Sequence, residues 1–119
     1  MKPLKHRPKK GLAAYVDDQC WRLESQTDYA KALLLMREYV IFYKNGEPHR
    51  EDGPAIIQVD GSKFWRLNGK RHREDGPTII YADGSELWYL NGLRHRVDGP
   101  AIVWASGKEE WYLKGKLIT

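Results

Sequence analysis

The chain has 119 residues, which suits one domain with a modest core and no need of disulfides. Its single cysteine, Cys20, excludes an intramolecular disulfide and fits a reducing compartment. The formal charge of +4 is unevenly spread: residues 1–10 hold five basic and no acidic side chains, leaving 15 basic against 16 acidic in the rest.

The basic start, "MKPLKHRPKK", is short, charged and proline-containing, so it is expected to be a disordered tail. Clustered cations are what counterion-release binding to nucleic acid needs. Lys2, Lys5, Arg7, Lys9 and Lys10 are therefore candidate contacts to nucleic acid or to an acidic partner. No apolar run approaches the roughly 20 residues of a membrane span, and no apolar stretch follows the charges as in a secretory signal. A soluble, cytoplasmic protein with no membrane contact is expected.

Residues 11–40 are expected to form an N-terminal helical cap. "TDYAKALLLMREYV", 27–40, spaces Tyr29, Leu33 and Met36 at helical intervals, with Thr27 as candidate N-cap. "VDDQCWRLE", 16–24, suits a second short helix or a turn. Such a cap would cover the first edge of the sheet that follows.

Residues 41–119 hold three and a half copies of a 23-residue unit. The copies are "FYKNGEPHREDGPAIIQVDGSKF" from 42, "WRLNGKRHREDGPTIIYADGSEL" from 65 and "WYLNGLRHRVDGPAIVWASGKEE" from 88, and "WYLKGKLIT" from 111 is a truncated fourth. Each contains two short runs rich in β-branched and aromatic residues, divided by Asn-Gly and by Asp-Gly or Ser-Gly. The Asp/Ser-Gly link predicts a tight hairpin, and the link from Asn-Gly to Gly-Pro a longer one. The fold class is mainly β: an elongated antiparallel meander of stacked hairpin repeats with a helical cap. Its C-terminal sheet edge is left open to a partner or a second copy of the chain.

Alternation along a strand puts Trp65 with Leu67, Trp88 with Leu90, and Trp111 with Leu113 on one face, which reads as a core ladder. The other face differs from copy to copy and carries Gln58, Phe64, Arg66, Tyr81, Tyr89, Trp104 and Tyr112. Repeat scaffolds recognise partners with varied positions, and Tyr, Trp and Arg dominate binding hot spots. Gln58, Arg66, Tyr81, Tyr89, Trp104 and Tyr112 are the candidate partner-binding face. The same side chains also suit ordinary cross-strand pairs.

The phrase His-Arg-x-Asp-Gly-Pro starts at His49, His72 and His95. Equivalent histidines two strands apart are separated by roughly 9.6 Å, whereas nitrogens sharing one zinc lie within about 4 Å of one another. No metal site, cofactor or catalytic residue is expected. The phrase reads as a corner. Its Gly supplies a bend, its Pro opens a strand, its Asp accepts backbone N–H groups, its His donates to a carbonyl of the next unit, and its Arg pairs with nearby acids.

An aromatic followed four residues on by Gly and three further by His, as in Trp65-Gly69-His72 and Trp88-Gly92-His95, resembles the MORN repeat. The resemblance covers residues 42–119 and is nearest to divergent forms in small bacterial and bacteriophage proteins. The usual continuation, His-Gly-x-Gly, is replaced here by His-Arg-x-Asp-Gly-Pro. The resemblance implies a hairpin scaffold that binds proteins without enzymatic activity, as an accessory protein that blocks its partner would. A nucleic-acid-binding protein using the basic tail and exposed aromatics is the alternative.

Overall fold

Two-residue turns set the architecture. Asn45-Gly46, Asn68-Gly69, Asn91-Gly92 and Lys114-Gly115 place their first residues at φ 48–51° and their glycines at φ 80–85°. Two successive positive φ values define the type I′ hairpin turn, whose twist matches that of the strands it joins. The Asn-Gly pairs are thus tight hairpin tips, and the chain from each tip through the corner phrase to the next sheet strand is the longer connection expected from sequence. The computed structural model describes residues 3–118.

The chain begins with strands β1 (Pro3–Leu4), β2 (Leu12–Val16) and β3 (Gln19–Leu23), then helix α1 (Gln26–Leu35) and strand β4 (Tyr39–Lys44). Six further strands, Ile56–Gln58, Lys63–Phe64, Ile79–Ile80, Glu86–Leu87, Ile102–Val103 and Glu109–Glu110, join one after another. The result is an antiparallel meander in the order β1-β3-β2-β4 and then along the chain, with Glu47–Pro48 paired onto β4. Three two-stranded hairpins stand off this sheet: Arg66–Leu67 with Lys70–Arg71, Tyr89–Leu90 with Leu93–Arg94, and Tyr112–Leu113 with Lys116–Leu117. The described residues are mainly β with one helix and measure 49 × 26 × 21 Å.

The N-terminal third departs from expectation in three ways. Residues 16–24 are neither helix nor isolated turn, because "LAAYV" and "QCWRL" pair as β2 and β3 in register from Leu12 opposite Leu23 to Val16 opposite Gln19. Asp17 and Asp18, at φ 49° and 84°, form the turn between them. The helix starts one residue before Thr27 with Ser25 as N-cap, and it ends at Leu35 because the β-branched and aromatic run from Tyr39 to Tyr43 is drawn into β4. Residues 3–10 are not a free tail. Pro3 pairs with Trp21 and Leu4 with Cys20, the Arg7 guanidinium lies 4.8 Å over the Tyr43 ring, and Gly11 donates to the Asn45 side chain at 2.8 Å. Lys2 lies outside the described residues, and Lys5, Arg7, Lys9 and Lys10 are exposed.

One core joins Ala14, Val16, Leu23, Val40 and Phe42 of the sheet to Ala32 of the helix, with Tyr29, Leu33 and Met36 packed against it as their spacing implied. A second contains Ile79, Leu87 and Ile102 of the meander with Tyr89 and Tyr112 of the standing hairpins. This reverses the expected faces. Tyr89 and Tyr112 are 5% and 8% exposed, whereas Trp65 and Trp88 are only half-buried and Leu113 is exposed. The alternation counted from sequence fails because each strand lasts about two residues. At Trp65, Trp88 and Trp111 the chain leaves the main sheet for a hairpin, and the count of faces restarts. No helix among the described residues is long and apolar enough to cross a membrane.

Phe42, fully buried, touches both helix and sheet. Phe42→Ala is expected to cost about 3–5 kcal/mol in denaturant unfolding, and exposed Leu34→Ala to stay within about 0.5 kcal/mol of wild type. A second test concerns acid. The Asp17 carboxylate accepts the backbone N–H groups of Arg37, Glu38 and Tyr39 at 2.7–3.0 Å, and these bonds hold its pKa below the usual 3.8. A depressed folded-state pKa contributes stability that is present above the unfolded value and lost as pH falls through the folded one. Asp17→Asn should therefore reduce stability near neutrality and flatten its decline below about pH 4, read from unfolding midpoints across pH.

Candidate functional site

A type I′ turn leaves two backbone N–H groups pointing out of its hairpin. Here both find acceptors 19–21 residues earlier in the chain. Gly69, Gly92 and Gly115 donate to the carbonyls of Pro48, Arg71 and Arg94 at 2.8–2.9 Å. Asn68, Asn91 and Lys114 donate to Nδ1 of His49, His72 and His95 at 2.8–2.9 Å. The histidines thus accept a backbone N–H, the opposite of the donation expected, because the nearest unpaired group of the following turn is a donor. Nδ1 as acceptor places the imidazole proton on Nε2. Nε2 of His49 and of His72 faces Glu51 at 3.4 Å and Glu74 at 3.5 Å.

The arginine of the phrase is locked on several sides. Nε of Arg50, Arg73 and Arg96 binds Asp52, Asp75 and Asp98 at 3.0–3.2 Å, and Nη1 donates to the carbonyls of Pro54, Pro77 and Pro100 at 2.9–3.3 Å. The guanidiniums of Arg73 and Arg96 lie 3.9 and 4.0 Å over the rings of Trp65 and Trp88, and Arg50 lies 5.0 Å over Phe42. Asp52, Asp75 and Asp98 therefore serve the arginine, where backbone N–H partners were expected.

The glycine of the phrase also has another purpose than the one expected. Gly53, Gly76 and Gly99 do not have positive φ. A Cβ built on them would meet the arginine Cζ at 2.6–2.8 Å. The glycine leaves room for a guanidinium held between it and an aromatic ring.

Two further sets of contacts join units but escaped the sequence reading. Ser62 and Ser85 are buried, and their Oγ atoms accept N–H groups of Ala82 and Ala105 at 3.0 and 2.8 Å. Arg71 and Arg94 both donate to the Tyr89 hydroxyl, at 3.4 and 3.2 Å, and Arg94 also to Tyr112 at 3.2 Å. The 23-residue recurrence of Ser62 with Ser85 and of Arg71 with Arg94 is visible in the sequence and was the available signal.

The candidate partner face is thus divided. Gln58 and Tyr81 are exposed. Trp104 is half-buried with Nε1 on Glu110 at 2.7 Å, a bond that holds the Glu110 carboxyl below its usual range. Tyr81 packs edge-on against Phe64 with centroids 5.9 Å apart. Arg66 is half-buried, and Tyr89 and Tyr112 are core. A groove of about 620 Å³ lies between successive corners, over Trp65 and Leu67 and flanked by Glu51, Asp52, Glu74 and Asp75. Among the described residues, no three His, Cys, Asp or Glu side chains could hold one metal ion together. No protein-family model matches the chain, and neither does any curated protein or solved structure.

Gly76→Ala is expected to destabilise by about 1–3 kcal/mol, the scale of losing charged hydrogen bonds. In an Arg73→Ala background the same change should be neutral or slightly stabilising, since alanine loses less backbone entropy on folding. Simple additivity in this double-mutant cycle would show that the glycine has another role.

Proposed function

We propose that the protein is a non-enzymatic binding module in which MORN-like 23-residue hairpin units are stacked into a rigid scaffold and capped by residues 11–40. One observation carries the reading. The recurring His, Arg and Asp, the side chains most able to do chemistry, are engaged in fixed internal contacts three times over. What varies between units and reaches the surface is Gln58, Tyr81 and part of Trp104, which suits recognition of a partner protein. The resemblance to repeats of bacterial and bacteriophage proteins supports a bacterial partner in the cytoplasm, blocked by a bound scaffold.

The test uses a tagged full chain in bacterial lysates with mass spectrometry of retained proteins. Wild type should retain a partner in near-stoichiometric amount, and Tyr81→Ala/Trp104→Ala should lose it while keeping the wild-type unfolding midpoint. Retention by both would move the interface elsewhere. The absence of any stoichiometric partner would overturn the reading.

A further inference from the structure

One hairpin carries an electrostatic cost that no ion pair offsets among the described residues. Arg66 and Arg71 sit directly opposite each other across the Asn68-Gly69 hairpin. Like charges in that position are destabilising. Among the described residues, neither has a carboxylate within 4.0 Å. The Arg66 Nη1 donates to the Gly69 carbonyl at 3.1 Å, but its Nε is buried without a partner. Burial, and then the nearby charge of Arg71, weaken its hold on its proton. At the equivalent position the other units have Tyr43, Tyr89 and Tyr112, which are buried and create no such repulsion.

The neighbouring arginines are held in place. Arg71 lies 5.2 Å over the Tyr89 ring and Arg94 5.2 Å over the Tyr112 ring, and both bind tyrosine hydroxyls. Arg7 repeats the relation 4.8 Å over Tyr43, which extends the row toward exposed Lys5, Lys9 and Lys10. A guanidinium fixed by ring and hydroxyl loses little further freedom on binding, and its planar fork matches phosphate oxygens. Most of the compensating acids lie at the corners, where Asp52, Asp75 and Asp98 are paired with other arginines, and Glu110 meets the row at Arg94 through the Tyr112 hydroxyl, which donates to it at 3.2 Å. The near-neutral charge of the body therefore conceals a cationic edge.

We propose that Arg66, Arg71 and Arg94 form a phosphate-binding edge that takes the backbone of a nucleic acid. A phosphodiester chain presents charge at regular intervals whatever its sequence, which suits a row repeated by strand pairing at roughly 9.6 Å per unit. Tyr89 and Tyr112 lie beneath the guanidiniums and are closed to base stacking. Binding is therefore sequence-independent, and it differs from recognition by a basic tail with exposed aromatics. It is also separate from the proposed protein-binding role, which uses Tyr81 and Trp104.

Fluorescence anisotropy of the full chain with labelled single-stranded and duplex DNA 20-mers tests the proposal. Affinity should fall with salt at a log–log slope of about −2 to −3, as for three phosphate contacts. Arg71→Gln and Arg94→Gln should each reduce affinity about tenfold at 0.1 M salt and make the slope shallower by about 1. Arg66→Tyr should weaken DNA binding yet raise the unfolding midpoint, because it removes a like-charge pair. Lys5→Gln/Lys9→Gln/Lys10→Gln should leave the effect of Arg71→Gln intact. No binding at 50 mM salt, or unchanged binding by all three arginine variants in folded protein, would overturn the proposal. So would tighter binding of polyglutamate than of DNA, which would reassign the edge to an acidic protein.

Discussion

The rest of the structure depends on where two N–H groups of each hairpin tip find their acceptors. A type I′ turn uses its flanking residues for its own hydrogen bonds and leaves its two central N–H groups to the surroundings. Here those groups point at the preceding unit, to a backbone carbonyl and to the neutral nitrogen of a histidine. Leaving such a donor unsatisfied and buried costs about 1–3 kcal/mol. The tips are consequently positioned by the previous unit as much as by their own strands. This suits strands of only two residues, too short to fix their register alone.

The arginine sandwich makes each corner rigid, and it explains why Gly must follow Asp. Arg73 can lie flat on Trp65 only if the opposite side is open, and the missing side chain of Gly76 opens it. Asp75 and the Pro77 carbonyl then fix the rotation of the guanidinium. Four residue types of the phrase, Arg, Asp, Gly and Pro, thus perform a single packing task, and the His a separate one. Positions whose acceptor would serve a following unit differ at the far end. Lys108 stands where Ser62 and Ser85 would, and Ile118 of the truncated fourth unit where His would, so the third unit links onward through His95 but not through a serine.

Much of the architecture was legible because it is written in period. The 23-residue spacing, the Asn-Gly and Asp-Gly turn pairs and the short β-branched runs led directly to an antiparallel meander. The spacing of Tyr29, Leu33 and Met36 located the buried side of the helix. The faces were not legible, since alternation holds only along an unbroken strand and each unit bends at its Trp. Nor was the docking of residues 3–10. That depends on Gly11 meeting Asn45 and Arg7 meeting Tyr43, contacts 34 and 36 positions apart that composition alone reads as a solvated tail.

Charge shows most clearly how a linear reading loses information. Counted along the chain, the body after residue 10 is nearly neutral and the basicity belongs to the tail. Folding sorts those charges by position in the unit. The aspartates at the fourth place of the corner phrase gather along one side with arginines already committed to them. Arginines on the standing hairpins gather along another with tyrosine rings and hydroxyls for company. A tyrosine orients a guanidinium without neutralising it, whereas an aspartate does both. The choice between those two neighbours decides which of the chain's arginines serve the fold and which keep their charge available to a partner.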